Sequence, residues 1–133
     1  IHRKGATRAF GPGMRDIPEE YRDTGQPVII GGSMETGSYL LAGVESGSQT
    51  FYSTAHGSGR TMSRHSAKKI YHARQLIKDM RERGIYVRTS SMKGIAEEAG
   101  GAYKDIDEVV AAAEVAGVSR RVARFIPIGN IKG

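Results

Sequence analysis

The chain has 133 residues, 38% of them apolar and 26% charged, the proportions of a single soluble globular unit. Its uncharged apolar runs fall far short of the roughly 20 residues that a membrane-crossing helix needs, and the lack of cysteine excludes a disulfide framework and a thiolate metal site and fits a reducing, cytoplasmic location. Lys and Arg number 20 against 14 Asp and Glu, and the net charge of +6 favours acidic partners such as nucleic acid or nucleotide phosphates.

From the amino terminus, residues 2–10 are basic, and Gly11, Pro12, Gly13 and Pro18 interrupt any regular element, so this region reads as loop. Residues 27–30 form an apolar run ended by Gly31 and Gly32, and residues 38–44 form a second; both read as strands. A turn is expected over 45–48. A third strand, rich in β-branched and aromatic residues, is expected over 50–55 and delivers His56 at its end. Residues 63–83 carry the helical period through Ile70, Ala73, Ile77 and Met80, with Gly84 as the stop. A short strand over 85–88 and one or two helical turns over 95–99 follow. A helix then starts at Asp105 with a capping-box-like pattern and ends near Gly117, and residues 122–126 read as a strand before a Gly-bearing tail. The expected class is α+β, a mixed sheet flanked by helices. Because its first residues already belong to a motif, the chain reads as a piece of a longer protein.

The charge is not spread evenly. Residues 56–88 hold nine basic groups against Asp79 and Glu82, a net of +7, whereas residues 1–55 sum to −1 and residues 89–133 to zero. Most charge runs are solvated helix faces, but this one stands directly behind a Gly-rich turn, which favours a phosphate-handling surface.

That turn is Ser53-Thr-Ala-His-Gly-Ser-Gly-Arg-Thr-Met-Ser-Arg64: a strand ending in a histidine, two glycines flanking a serine, then a basic helix. Gly57 and Gly59 let backbone approach a phosphate closely, and the amides of the following helix are unpaired donors. Arg60 and Arg64, four apart, share a helical face. A histidine at such a junction serves as general acid or base, metal ligand or nucleophile, and composition does not choose among them. Gly31-Gly-Ser-Met34 with Ser38 is a second glycine- and hydroxyl-bearing turn. No Gly-x-x-x-x-Gly-Lys-Ser/Thr string is present, so P-loop chemistry has no support. His65 and His72 have nothing nearby in sequence to complete a metal set and read as surface residues.

Taken in order, His2-Arg-Lys-Gly-Ala, Gly31-Gly-Ser-Met34, the His56 string, Glu97-Glu98 through Ala102-Tyr-Lys-Asp-Ile-Asp107, and the final Lys132-Gly133 resemble the C-terminal part of the RtcB-type RNA-splicing ligases, over essentially the whole chain. The resemblance implies residues 1–133 as the C-terminal segment of one RtcB-like catalytic domain. It also implies a GTP- and Mn2+-dependent ligase that joins an RNA 3′-phosphate or 2′,3′-cyclic phosphate to a 5′-hydroxyl in tRNA splicing and RNA repair. His56 would be the nucleophile that takes GMP. Gly31, Gly32, Ser33, Met34, Ser38, His56, Gly57, Ser58 and Gly59 would contact the guanylate, Tyr103 would pack on the base and Lys132 would contact guanine. Lys4, Arg60 and Arg64 would neutralise triphosphate or RNA phosphate. The resemblance places the manganese ligands upstream of Ile1, none of them in this chain.

RNA, as tRNA halves or other broken strands, is the partner so implied, no membrane is, and an activating protein partner stays open. Members of the family commonly have Gly at position 35, Cys at 55 and Ala at 58, where this chain has Glu35, Ala55 and Ser58. Glu35 is thereby expected to set a negative charge beside the nucleotide turn. A non-catalytic nucleotide- or RNA-binding module is the competing reading from the residues alone.

Overall fold

The computed structural model describes residues 1–132; Gly133 lies outside the described residues. The first half holds β1 (Ala6–Arg8), β2 (Pro27–Gly31), β3 (Ser38–Gly43) and β4 (Ser53–Ala55), with 3-10 turns at Glu19–Tyr21 and Glu45–Thr50. Then come α1 (Arg64–Ile70), α2 (Ala73–Glu82), β5 (Tyr86–Thr89) and α3 (Met92–Glu97), a 3-10 turn at Gly100–Ala102, α4 (Ile106–Val115), β6 (Ser119–Phe125) and β7 (Gly129–Lys132). The class is α+β. Its strands pair antiparallel in β1–β4 and in β2–β3–β6, and parallel in β5–β7.

Alternation in β2 sends Val28 and Ile30 inward and leaves Pro27 and Ile29 exposed. Val28 and Ile30 meet Tyr39 and Leu41 of β3 and Ile106 and Val110 of α4 in one core. Asp105 caps α4 by accepting the Asp107 N–H at 2.7 Å. Met80 of α2, Ile85, Ile95 of α3 and Met34 of the β2–β3 turn form a second core. That turn closes tightly at Gly37, whose φ is +91° and where a Cβ would stand 2.1 Å from the Phe125 carbonyl oxygen.

The single helix expected over 63–83 is two helices. Tyr71 and His72 are extended, and α2 restarts at Ala73. Neither proline nor glycine causes the break. In one continuous helix Ala67 and Met80 would face directions about 140° apart, yet both are fully buried, Ala67 at 0% and Met80 at 0% exposure. Breaking the helix lets both pack on α3, against which α1 and α2 each lie.

The strand expected over 50–55 is also shorter. Phe51 and Tyr52 adopt left-handed backbone with φ of 53° and 52°, which strands exclude. The Tyr52 N–H donates to the Gly47 carbonyl at 2.7 Å, and the ring meets Phe10 edge-on at 5.8 Å. Tertiary packing thus outweighs a favourable β composition. Two strands lie in segments read as loop and tail. β1 pairs with β4 from within the basic opening, and β7 docks parallel to β5, placing Thr89 beside Lys132.

Leu41→Ala, at a site 1% exposed, is expected to lower the stability of the intact protein by about 2–5 kcal/mol in urea denaturation. Ile131→Ala, at a site 88% exposed, should change it by less than about 0.5 kcal/mol.

Candidate functional site

His56 leaves the end of β4, and its backbone N–H donates to the Gly5 carbonyl at 3.3 Å. The residue itself is exposed. Immediately after it, Gly57 forms a parallel bridge with Gly31 at the end of β2, and the Ser58 N–H donates to the Gly31 carbonyl at 2.9 Å. A Cβ on Gly57 would sit 3.2 Å from that oxygen, so glycine lets the two turns touch backbone to backbone. Gly59 has φ of +76°, and its carbonyl accepts the Lys104 N–H at 3.0 Å. The next pair, Arg60 and Tyr103, forms an antiparallel bridge.

These contacts frame an open cavity of about 460 Å³. Gly31 and Gly32 form one wall, residues 56–59 another, and Tyr103 and Ile29 the remainder. Ser58 is 4% exposed and its Oγ has no hydrogen-bond partner among the described residues. Leaving a buried hydroxyl unpaired costs about 1–3 kcal/mol, a cost removed when a ligand or water supplies the partner.

The remaining sequence-predicted residues lie around this cavity, not in its lining. Ser33 is occupied within its own turn, its Oγ accepting the Glu35 N–H at 3.1 Å and contacting Thr36 Oγ1 at 3.0 Å. Met34 is buried in the second core, and its carbonyl accepts from Asn130 Nδ2 at 3.0 Å. Ser38 stands opposite Gly31 in the β2–β3 ladder. Lys4 is exposed, one residue before Gly5. Lys132 lies beside Arg88 and Ser90 in a neighbouring depression.

Arg60 and Arg64 face carboxylates. Arg60 donates through Nε to the Met62 carbonyl at 3.0 Å, through Nη1 to the Tyr103 hydroxyl at 2.8 Å, and through Nη2 to the Glu97 carbonyl at 2.6 Å. Its Nη1 also lies 3.4 Å from Glu98 Oε1, and its guanidinium stands 4.7 Å from the centre of the Tyr103 ring. Most of its donors are therefore taken up inside the protein, so its place is structural support of the cavity wall. Arg64 is largely exposed and reaches Glu98 at 3.6 Å and Glu97 at 3.9 Å. Glu98 also receives the Tyr103 hydroxyl hydrogen bond and lies 3.9 Å from Lys132 Nζ. It is the group that ties the last described residue to the cavity wall.

Glu98 escapes a composition reading because its three cations, Arg60, Arg64 and Lys132, come from two segments distant in sequence; the only trace is two adjacent carboxylates in an otherwise basic context. Ile29 escapes too, although an outward apolar residue next to a glycine turn in an alternating strand is a usable signal.

Glu35 does not face the cavity. Its carboxylate accepts the Gly100 N–H at 2.7 Å and pairs with Arg83, linking the β2–β3 turn to the end of α2. The expected negative charge beside the nucleotide turn is thus compensated and directed elsewhere.

The sequence profile of the family described as tRNA-splicing ligase RtcB matches residues 1–133. The chain belongs to the RtcB family. It is 54% identical, over its full length, to a protein of Pyrococcus abyssi named tRNA-splicing ligase RtcB, of which it covers 15%. It is 51% identical to the Aeropyrum pernix protein of the same name, covering 28% of it. A Mycobacterium tuberculosis protein named RNA-splicing ligase RtcB is 49% identical and 31% covered. The chain thus spans less than a third of the length of these relatives.

The sequence resemblance gives two groups as expectations, a guanine nucleotide and manganese. The cavity suits the first, with glycine walls, an exposed imidazole and the unpaired Ser58 hydroxyl. For the second, no group of three or more His, Cys, Asp or Glu side chains able to hold a metal ion occurs among the described residues. No described helix is long and apolar enough to cross a membrane.

The acidic pair governs two titrations. Burial, and then the hydrogen bond donated to Glu98, raise the Tyr103 pKa above its ordinary 10.0. In Glu98→Gln the tyrosine should titrate closer to 10, read as the ultraviolet tyrosinate difference against Tyr103→Phe; an unchanged titration contradicts the network. The hydrogen bond from Lys68 Nζ, at 2.8 Å, and the neighbouring cations hold Glu97 below its ordinary 4.5. A depressed carboxyl stabilises the fold above its unfolded pKa and loses that contribution as pH falls through the folded value. Lys68→Met should therefore be less stable than the parent at neutral pH, the difference vanishing in acid, as followed by urea denaturation across pH.

Proposed function

We propose that this chain forms the guanylate-accepting part of a GTP-dependent RNA ligase, with His56 as the nucleophile. The observation that carries the reading is the joining of the Gly31–Gly32 turn to the His56–Gly59 turn around one cavity, with the imidazole exposed at its edge. The relatives' ligase names agree with it.

In this reading GTP is a substrate. A neutral imidazole nitrogen of His56 attacks the α-phosphorus, a phosphorus–nitrogen bond forms, the bond to the bridging oxygen breaks, and pyrophosphate leaves. The backbone amides of the glycine turns and the Ser58 hydroxyl would hold the guanylate, and Tyr103 would pack on the base, its ring kept in place by Arg60. The guanylate then passes from His56 to the RNA 3′-phosphate oxygen, freeing the imidazole and making a phosphoanhydride. The incoming 5′-hydroxyl attacks the RNA phosphorus, GMP leaves, and a phosphodiester remains. Manganese would neutralise triphosphate charge. Since the described residues hold no ligand set for it, a binding role without chemistry is the reading to weigh for this chain in isolation.

Incubating the intact protein with GTP and Mn2+ should give an acid-labile adduct of one GMP on the His56 peptide by mass spectrometry, absent in His56→Ala. An adduct that persists in His56→Ala contradicts the assignment. Tight RNA binding with no strand joining would favour the binding module instead.

A further inference from the structure

A second cavity, of about 450 Å³, lies at the break between α1 and α2. Lys68, His72 and Arg74 line it from one side, and Met92 and Lys93 of α3 from the other. We propose that this groove binds the phosphate backbone of the RNA strand on which the protein acts. The inference rests on the RNA-joining reading above and adds a surface that the His56 cavity does not contain.

Three observations carry it. The cations converge from three helices: Lys68 of α1 and Arg74 of α2 belong to the +7 stretch, but Lys93 comes from α3, some 20 residues further along. A solvated charge run would not recruit a cation from elsewhere. No carboxylate lines the groove, and among the described residues neither Arg74 nor Lys93 makes an ion pair, while Lys68, which also lines it, is paired with Glu97 at 2.8 Å. Finally, the groove opens where residues 71 and 72 leave the helical path that the sequence periodicity favours.

The groove also adjoins the first cavity through direct contacts. Lys68 holds Glu97, whose carbonyl holds Arg60, which holds Tyr103 in the wall of the His56 cavity. Tyr71 runs from the break to Gly101, where its Oη would lie 2.1 Å from an added Cβ. A strand lying in the groove would thus pass behind the same α1–α3 wall. Because Arg60 is committed to internal partners, the unpaired cations of this groove are better placed to meet strand phosphates. An acidic protein partner is the other class such a surface could take. The RNA backbone is favoured because the cations line a groove and lie next to the cavity of an RtcB-family chain.

The test is RNA affinity as a function of salt, measured on the intact protein with a single-stranded RNA bearing a 3′-phosphate. Replacing both Arg74 and Lys93 with Gln should weaken binding on the order of tenfold at moderate salt and reduce the slope of log affinity against log salt by about 1.4, two single-strand phosphate contacts. Formation of the GMP adduct, which needs no RNA, should remain at the parent level and reports that the double variant is folded. Lys93→Gln alone, at an exposed α3 site, should give about half the change in slope. A Lys69→Gln/Lys78→Gln control removes the same charge outside the groove and should leave the slope near the parent value. An unchanged slope in the Arg74/Lys93 variant overturns the proposal, as does an equal loss in the control, which would mean a diffuse field. Loss of an acidic protein partner with RNA affinity intact would assign the groove to that class instead. Absence of the GMP adduct in the parent would count against the nucleophile assignment alone, since the salt slope is read without it.

Discussion

Two glycine turns meet backbone to backbone, and the candidate site at His56 is arranged around that contact. Gly31 ends an edge strand whose inner face is locked into the first core, and Gly57 follows a short strand held by the basic opening segment. Their approach, with the Ser58 amide on the Gly31 carbonyl at 2.9 Å, leaves a Cβ at Gly57 only 3.2 Å from that oxygen. It turns a histidine at a strand end into one wall of a cavity. The backbone that carries the imidazole is held on both sides, His56 N–H donating to the Gly5 carbonyl and Ser58 N–H to the Gly31 carbonyl.

Behind that contact stands an acidic pair. The basic stretch would repel itself if packed alone, and Glu97 and Glu98 accept Arg60, Arg64, Lys68 and Lys132 within one patch. These carboxylates are about three-quarters buried, with 24% and 23% of their side chains exposed, so the pairing is screened less than a surface ion pair is. The result divides the cations by role. Those facing the pair hold α1, α3, Tyr103 and β7 together, and Arg74 on α2 and Lys93 at the start of α3 make no ion pair among the described residues.

Sequence patterning revealed what local chemistry controls. The alternation of residues 27–30, the Asp105 cap of α4 and the last three residues of the strand leading to His56 are each visible in a few neighbouring residues, and each stands in the structure. The break at Tyr71 and His72 was not visible, because the helical period continues through it and only the joint burial of Ala67 and Met80 against α3 requires it. β7 was hidden for a similar reason: four polar and apolar residues at a tail become a strand only by pairing with β5. The two glycine turns could each be marked as phosphate-compatible, but their contact joins residues 26 apart through backbone atoms, which carry no signature in side-chain type. Glu35 shows the converse. Its charge suggested interference with a nucleotide, and only the Gly100 amide and Arg83 reveal that its carboxylate is used elsewhere.

The central claim is that His56, held at the junction of the two glycine turns, accepts a guanylate. A crystal structure of the intact protein after reaction with GTP and Mn2+ tests it most directly. The account predicts continuous density from an imidazole nitrogen of His56 to the guanylate phosphorus, with the nucleotide against Gly31, Gly32 and Tyr103. A guanylate bonded to any other residue, or seated away from the Gly31–Gly57 junction, would contradict it.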